Sequence, residues 1–124
     1  MKKFSKSISF EAKEMTLTSA DERFLQKAMD LVKKNLSNAD LNIEEMGSEL
    51  GMSRAQLYRK IDAVSGQSVH EFIRIVRLKK AAELLTNSDF QISEIVERVG
   101  FNSFAYFTKS FKDYFGVTPS AYKR

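Results

Sequence analysis

Two groups of side chains in this sequence have the type and spacing to do chemistry. Ser53, Arg54, Tyr58 and Arg59 fall in one short helical run, and Ser103, Phe104, Tyr106, Lys109 and Lys112 fall in another. A guanidinium can fork onto O6 and N7 of guanine, a phenol can bond a phosphate or pack against a thymine methyl, and lysines neutralise phosphates. The chemistry on offer is recognition of a polyanion rather than bond-making. Groups for catalysis are scarce. The chain has no Cys, which excludes disulfides, thiol catalysis and Cys-ligated zinc or iron–sulfur sites. His70 is the single His, so His-pair metal sites are excluded, no nucleophile accompanies it, and it reads as a surface or capping residue. Acidic residues are plentiful, but no pair is placed in a pocket by the pattern. No enzyme activity, cofactor, metal or small-molecule ligand is expected.

These residues must be positioned by a small helical chain. At 124 residues and 43% hydrophobic, it can bury a core as one compact domain, or as two very small ones that share a core. No apolar run approaches the roughly 20 residues of a membrane span, and no h-region follows the first lysines. One Pro and five Gly fit a mostly helical protein. Residues 1–18 lack a helical period and read as a tail or linker. Ser19-x-x-Glu22 offers a capping box, with Leu25, Ala28, Leu31, Val32 and Leu36 following at helical spacing. Asn42-x-x-Glu45 offers a second cap before Ile43, Met46 and Leu50, and Ser53 a third before Leu57, Ile61 and Val64. A long pattern runs from about Ser68 to Leu85, and Thr86 to Phe90 read as a loop. Ile92, Ile95, Val96 and Val99 precede Gly100, Phe104, Phe107, Phe111 and Phe115 follow, and Thr118-Pro119 opens a final turn. The fold class is all-α, with seven helices.

The segment from Ile43 through Gly51, Leu57 and Ile61 to Gly66 is repeated from Ile92 through Gly100, Phe107 and Phe111 to Gly116. The offset is 49 up to the first glycines and 50 beyond them, so the second turn is one residue longer. Each copy reads as short helix, Gly turn, second helix: a helix-turn-helix. The copies span about 43–65 and 92–115, joined by a connecting helix at about 68–86. Eighteen residues at about 1.5 Å each span roughly 27 Å. That length is compatible with second helices reaching successive major grooves, about 34 Å apart on one face of B-DNA.

The net charge of +4 is unevenly spread. Asp21 to Glu49 holds seven acidic against four basic residues, whereas Arg54–Lys60 and Arg74–Lys80 hold bases alone. Basic residues thus collect on the second helices and their connector, as on a phosphate-tracking surface. With Leu57 and Ile61 inward, Ala55, Arg59 and Asp62 face outward, with Tyr58 beside them. Arg54 suits a phosphate, and Asp62 reads as a partner for Arg59 or Lys60. With Phe107 and Phe111 inward, Ala105, Lys109 and Lys112 face outward beside Tyr106 and Thr108. Ser103 at the helix start suits a phosphate. Phe104 is open between core and groove, and the spacing leans to core.

The stretch from Val99-Gly-Phe through Tyr106-Phe107, Phe111-Lys112, Gly116 and Thr118-Pro119 to Tyr122 resembles the C-terminal signature of AraC/XylS-type transcription regulators, with Tyr122-Lys123 a mild departure. Met52 to Lys60 with Gly66 looks like that family's first recognition helix, and Arg77, Ala81, Leu84 and Leu85 like its connecting helix. The resemblance covers about residues 20–124. It implies a homeodomain-like fold of two helix-turn-helix subdomains, within a domain spanning 19–124. It also implies sequence-specific binding of double-stranded DNA, usually activating transcription through RNA polymerase. Family base-contact positions fall on Ala55, Tyr58 and Arg59, and on Phe104, Ala105, Tyr106 and Lys109. Ser53, Arg54, Asn102, Ser103, Lys79, Lys80 and Lys112 are then expected to hold phosphates. The entry at Thr18 to Leu25 resembles the output domain of bacterial hybrid two-component regulators, often controlling carbohydrate-utilisation operons. That reading implies receiver and histidine-kinase domains elsewhere in a longer cytoplasmic protein, which other domains could anchor in the inner membrane, with Met1 an added start. The alternative is a helical protein-interaction module without DNA binding, using the acidic Asp21 to Glu49 surface.

Overall fold

The computed structural model describes residues 18–38, 41 and 43–123. Among them it holds seven α-helices and no strand. They are α1 (Ser19–Lys34), α2 (Ile43–Glu49), α3 (Arg54–Ser65), α4 (Val69–Asn87), α5 (Ile92–Arg98), α6 (Phe104–Phe115) and α7 (Pro119–Lys123). Of the tail expected over residues 1–18, residues 1–17 lie outside the described residues, as does the cap expected at Asn42, whereas Thr18 belongs to the start of α1. None of these helices is long and apolar enough to cross a membrane.

The helices start where short polar side chains can satisfy free N–H groups. At α1 the cap sits one residue before the Ser19-x-x-Glu22 box. The Asp21 N–H donates to Thr18 Oγ1 at 3.0 Å, and the Thr18 N–H donates back to the Asp21 carboxylate at 3.4 Å. Both pairs have capping chemistry, and the one formed is Thr18 with Asp21. At α3 the Ser53 box is complete. The connecting helix α4 begins with Ser68 Oγ accepting from the Glu71 N–H at 3.1 Å. It continues through Thr86 to Asn87, so only Ser88 onward is loop. The Thr86 hydroxyl donates back to the Ala82 and Glu83 carbonyls, so its polar group is satisfied within the last turns of the helix.

The chain divides into two compact units. The first comprises Met1–Lys34 and Asn42–Arg74, and the second Asn35–Leu41 and Ile75–Arg124, so α4 begins in one and ends in the other. In the first unit α3 packs on both α1 and α2. Leu57, Ile61 and Phe72 are fully buried there, alongside Val32 and Ala28 of α1. In the second unit Leu78, Ala81, Ala82 and Leu85 of α4 pack with Ile95, Val96 and Val99, and with Phe107 and Phe111 of α6. Each large side chain buried this fully contributes roughly 1.5–3 kcal/mol. The rings of Phe111, Phe115 and Tyr122 meet in a three-way cluster, each pair of centroids 4.6 to 5.4 Å apart in tilted or edge-on contact, which fastens α7 onto α6. Lys123, at the departure from the usual ending, donates to the Phe90 carbonyl at 2.9 Å.

The repeat is a repeat of hydrogen bonds. Met52 N–H donates to Gly47 O, Leu50 N–H to Met46 O and Gly51 N–H to Ser48 O. Phe101 N–H to Val96 O, Val99 N–H to Ile95 O and Gly100 N–H to Glu97 O are the same bonds at an offset of 49. Past the turn, Gly66 N–H to Asp62 O recurs at an offset of 50 as Gly116 N–H to Lys112 O. The extra residue therefore lies between Phe101 and Ser103, at Asn102. Gly51 and Gly100 reverse the chain at φ of 72° and 84°, a left-handed conformation that a Cβ penalises.

Candidate nucleic-acid interface

In the first unit α3 buries Leu57 and Ile61 and leaves Ala55 and Arg59 exposed, with Tyr58 half-buried. Two helical turns of apolar residues on one side fix which residues face out on the other. Arg59 makes no hydrogen bond or ion pair among the described residues, so its fork is unspent. Tyr58 is held. The Arg54 guanidinium donates to its hydroxyl at 3.2 Å and lies 5.4 Å from its ring centre, and His70 meets the ring edge-on at 6.4 Å. Arg54 also stands 3.9 Å from the exposed Glu44 carboxylate, a loose pair. Ser53 spends its hydroxyl on the Gln56 N–H and its own N–H on the Gln56 side chain.

In the second unit α6 buries Phe107 and Phe111 and leaves Ala105, Lys109 and Lys112 exposed. Phe104 is 51% exposed, contrary to the lean of its spacing towards the core. The Phe row runs one turn past the packed surface, because core contact begins at Phe107, which meets Phe101 edge-on at 5.2 Å. Tyr106 is 53% exposed. Ser103 Oγ caps the helix by accepting from the Tyr106 N–H at 3.1 Å, and Asn102 stands exposed beside it. The Lys109 ammonium pairs with Asp113 one turn along, at 3.0 Å.

The basic clusters sort into two kinds. Lys60 turns away from the outward face of α3. Its ammonium binds the Asp21 carboxylate at 3.2 Å and sits 5.5 Å from the Phe24 ring centre, joining α3 to α1. Asp62 therefore does not take Lys60 as its partner, and among the described residues it forms no ion pair with Arg59. On α4, Arg77 is 5% exposed and donates to the carbonyls of Leu36, Asn38 and Val99. Burial pushes its pKa down, and three carbonyl acceptors compensate the charge. These two cations hold the fold rather than face a phosphate. Arg74 is tied to Glu71, and Lys80 to Glu83 at 3.2 Å. Lys79 and Lys80 remain half-buried on α4.

Sequence reasoning missed the Arg54–Tyr58 and Lys109–Asp113 couplings. Both have the four-residue spacing that brings helix side chains together, which is the signal that could have found them. Among the described residues no cluster of His, Asp or Glu is arranged to hold a metal. The arrangement suits one task on each unit: a helix whose outer face carries unspent donors or exposed rings, framed by lysines.

Comparison with known proteins gives a consistent result. A helix-turn-helix domain family matches residues 46–124. The chain is 40% identical over 121 residues to histidine kinase P4 of Formosa agariphila, covering 98% of this chain but only 9% of that protein. It is 29% identical over 109 residues to the multiple antibiotic resistance protein MarA of Escherichia coli, covering 88% of this chain and 85% of MarA. Among solved structures, it resembles the C-terminal domain of AraT, a response regulator from Geobacillus stearothermophilus, at a TM-score of 0.69 and 34% identity. That match covers 89% of this chain and 88% of the AraT domain.

Proposed function

The chain belongs to the AraC-type helix-turn-helix family of DNA-binding transcription regulators, and on that premise we propose how it reads and uses a duplex. Helices α3 and α6 each enter a major groove of one double-stranded site. Ala55, Tyr58 and Arg59 read bases from the first, and Phe104, Ala105, Tyr106 and Lys109 from the second. Ser53, Arg54, Asn102, Ser103, Lys79, Lys80 and Lys112 hold phosphates. The observation that carries this reading is the duplicated turn: the same backbone bonds, offset by 49 and then 50 residues, set an outward helix face on each unit. Arg59, with no competing partner among the described residues, is the strongest base-reading group.

The domain acts as the output end of a longer two-component regulator, with receiver and histidine-kinase domains elsewhere in the polypeptide. The small fraction of the Formosa kinase that this chain spans, and the likeness to a response-regulator domain, support that reading. It works in the cytoplasm, other domains supplying any anchor in the inner membrane, and it activates transcription through RNA polymerase.

The test is selection of bound duplexes from a random pool, followed by gel-shift titration across salt. The expected result is one enriched site about two helical turns long, with log K falling by about 0.9 per phosphate neutralised for each decade of salt. Equal, weak binding to every duplex at physiological salt would favour a protein-interaction module instead.

A further inference from the structure

The offset of 50 places each residue of α3 on a residue of α6: Arg54 on Phe104, Ala55 on Ala105, Gln56 on Tyr106 and Arg59 on Lys109. The backbone and the cap serine match at these positions, but the side chains differ in kind. The first helix carries hydrogen-bond donors. The second carries two of the three large hydrophobic side chains exposed among the described residues, Phe104 and Tyr106.

The change at Tyr106 works against the fold. In the first copy Gln56 closes the capping box by accepting from the Ser53 N–H. In the second copy Tyr106 stands at that position, and only the Ser103 hydroxyl arm of the cap is made. The ring does rest 5.8 Å from Phe101, but it stays 53% exposed. Phe104 has no ring contact or hydrogen bond from its side chain among the described residues. A cap arm given up for a ring that stays half exposed points to use at a surface. Lys109, the one donor at the outward centre of α6, is occupied by Asp113.

We infer that α6 reads its half of the site by apolar contact, seating thymine C5-methyl groups on Phe104, Ala105 and Tyr106, whereas α3 reads by hydrogen bonds from Arg59. This rests on the DNA-binding reading above and names what the second helix selects. The patch continues the outward face on which Lys109 and Lys112 stand, and thymine methyls are the apolar feature of the major groove.

The test replaces each thymine of the selected duplex singly with deoxyuridine, which removes only the methyl. Wild-type protein is expected to bind about fourfold more weakly for each methyl it seats. Phe104→Ala and Tyr106→Gln are expected to lose that sensitivity, while Arg59→Ala keeps it. Tyr106→Gln restores the missing cap arm and is expected to raise Tm as it loses methyl sensitivity, so misfolding cannot mimic the result. Uniform indifference to deoxyuridine, or sensitivity intact in both α6 variants, overturns the inference while selective duplex binding stands. Failure to select any duplex overturns the DNA-binding reading as well.

Discussion

Arg77 Nη1 donates to the Val99 carbonyl at 2.7 Å, so a cation on the connecting helix closes the turn of the second helix-turn-helix. The same guanidinium holds Asn38 O at 2.8 Å and Leu36 O, which ties the segment after α1 to that turn. All of these groups belong to the second unit. A planar fork with five donors can serve three carbonyls at once, and an ammonium cannot reproduce that geometry. Arg77→Ala is therefore expected to lower unfolding stability by about 3 kcal/mol, since buried carbonyls are left without donors. Arg77→Lys is expected to lose about 2 kcal/mol, one hydrogen bond to a charged donor and part of a second. Urea titration at constant m-value measures both, and an unmoved midpoint for either variant would remove Arg77 from the account of the fold.

Gly100 and Gly51 occupy the same place in the two copies, yet their surroundings differ. A Cβ on Gly51 meets nothing within 4 Å, whereas one on Gly100 would overlap the Arg77 guanidinium and the Leu36 carbonyl. Gly51→Ala is expected to lose about 1–2 kcal/mol from left-handed backbone alone. Gly100→Ala carries the same backbone term plus displacement of Arg77, and is expected to lose at least twice as much. Thermal melts of the two variants compare them directly, and equal losses would mean that Arg77 can move aside freely.

These two positions also show what could be read from the sequence. The glycines, the offset of 49 and the inward faces of Leu57, Ile61, Phe107 and Phe111 follow from periodicity, because burial and the 3.6-residue repeat are the same constraint. What Arg77 and Lys60 touch does not follow, because a long cation takes its partner from tertiary packing. Within one basic run, Arg77 is buried and Lys80 pairs with Glu83. Thr18 and Ser19 each precede an acid by three residues, so capping chemistry alone could not choose between them. Phe104 continues the spacing of Phe107 and Phe111, and only the end of the packed surface shows that its ring is left outside.

Asp21 gives stability a dependence on pH with a definite sign. The Lys60 ammonium and the Thr18 N–H hold its carboxyl below the ordinary value near 3.8. A carboxylate with a lowered folded pKa contributes stability that is present above the unfolded pKa and lost as pH falls through the folded one. Tm is therefore expected to drop as pH is lowered from about 5 through the carboxylate range. Asp21→Asn is expected to be less stable at neutral pH and to lose less on acidification. Parallel Tm-against-pH curves for wild type and variant would show that this carboxylate is not coupled to folding.

Arg59 and Lys80 are expected to separate reading from holding. Arg59→Ala should weaken the selected duplex by about 1–3 kcal/mol and relax preference at one base pair. Lys80→Ala should weaken all duplexes alike and flatten the salt slope by less than the roughly 0.9 of a fully neutralised phosphate. Lys80 already has Glu83 at 3.2 Å, so the loss should fall short of that for a free lysine. Titration of the selected site and its single-base variants at several salt concentrations measures both effects. Unchanged affinity and preference in Arg59→Ala would sink its base-reading role.

The Lys109–Asp113 pair is expected to restrain DNA binding rather than support the fold. Both side chains are largely exposed, 75% and 61%, and a surface pair at this spacing contributes only about 0.3–0.5 kcal/mol. Asp113→Asn should therefore shift stability by no more than that. Near a duplex the balance differs, because Asp113 repels phosphates and occupies the one ammonium at the centre of the α6 outer face. Freed from Asp113, the Lys109 ammonium can leave its base for a neighbouring phosphate and neutralise one more charge. Asp113→Asn is expected to bind every duplex more tightly at low salt, with a salt slope steeper by about 0.9, and to discriminate less between sequences. Lys109→Ala in the same background should return the slope to its original value. A slope that stays unchanged in Asp113→Asn would place Lys109 away from the phosphates and leave the pair a feature of the helix surface alone.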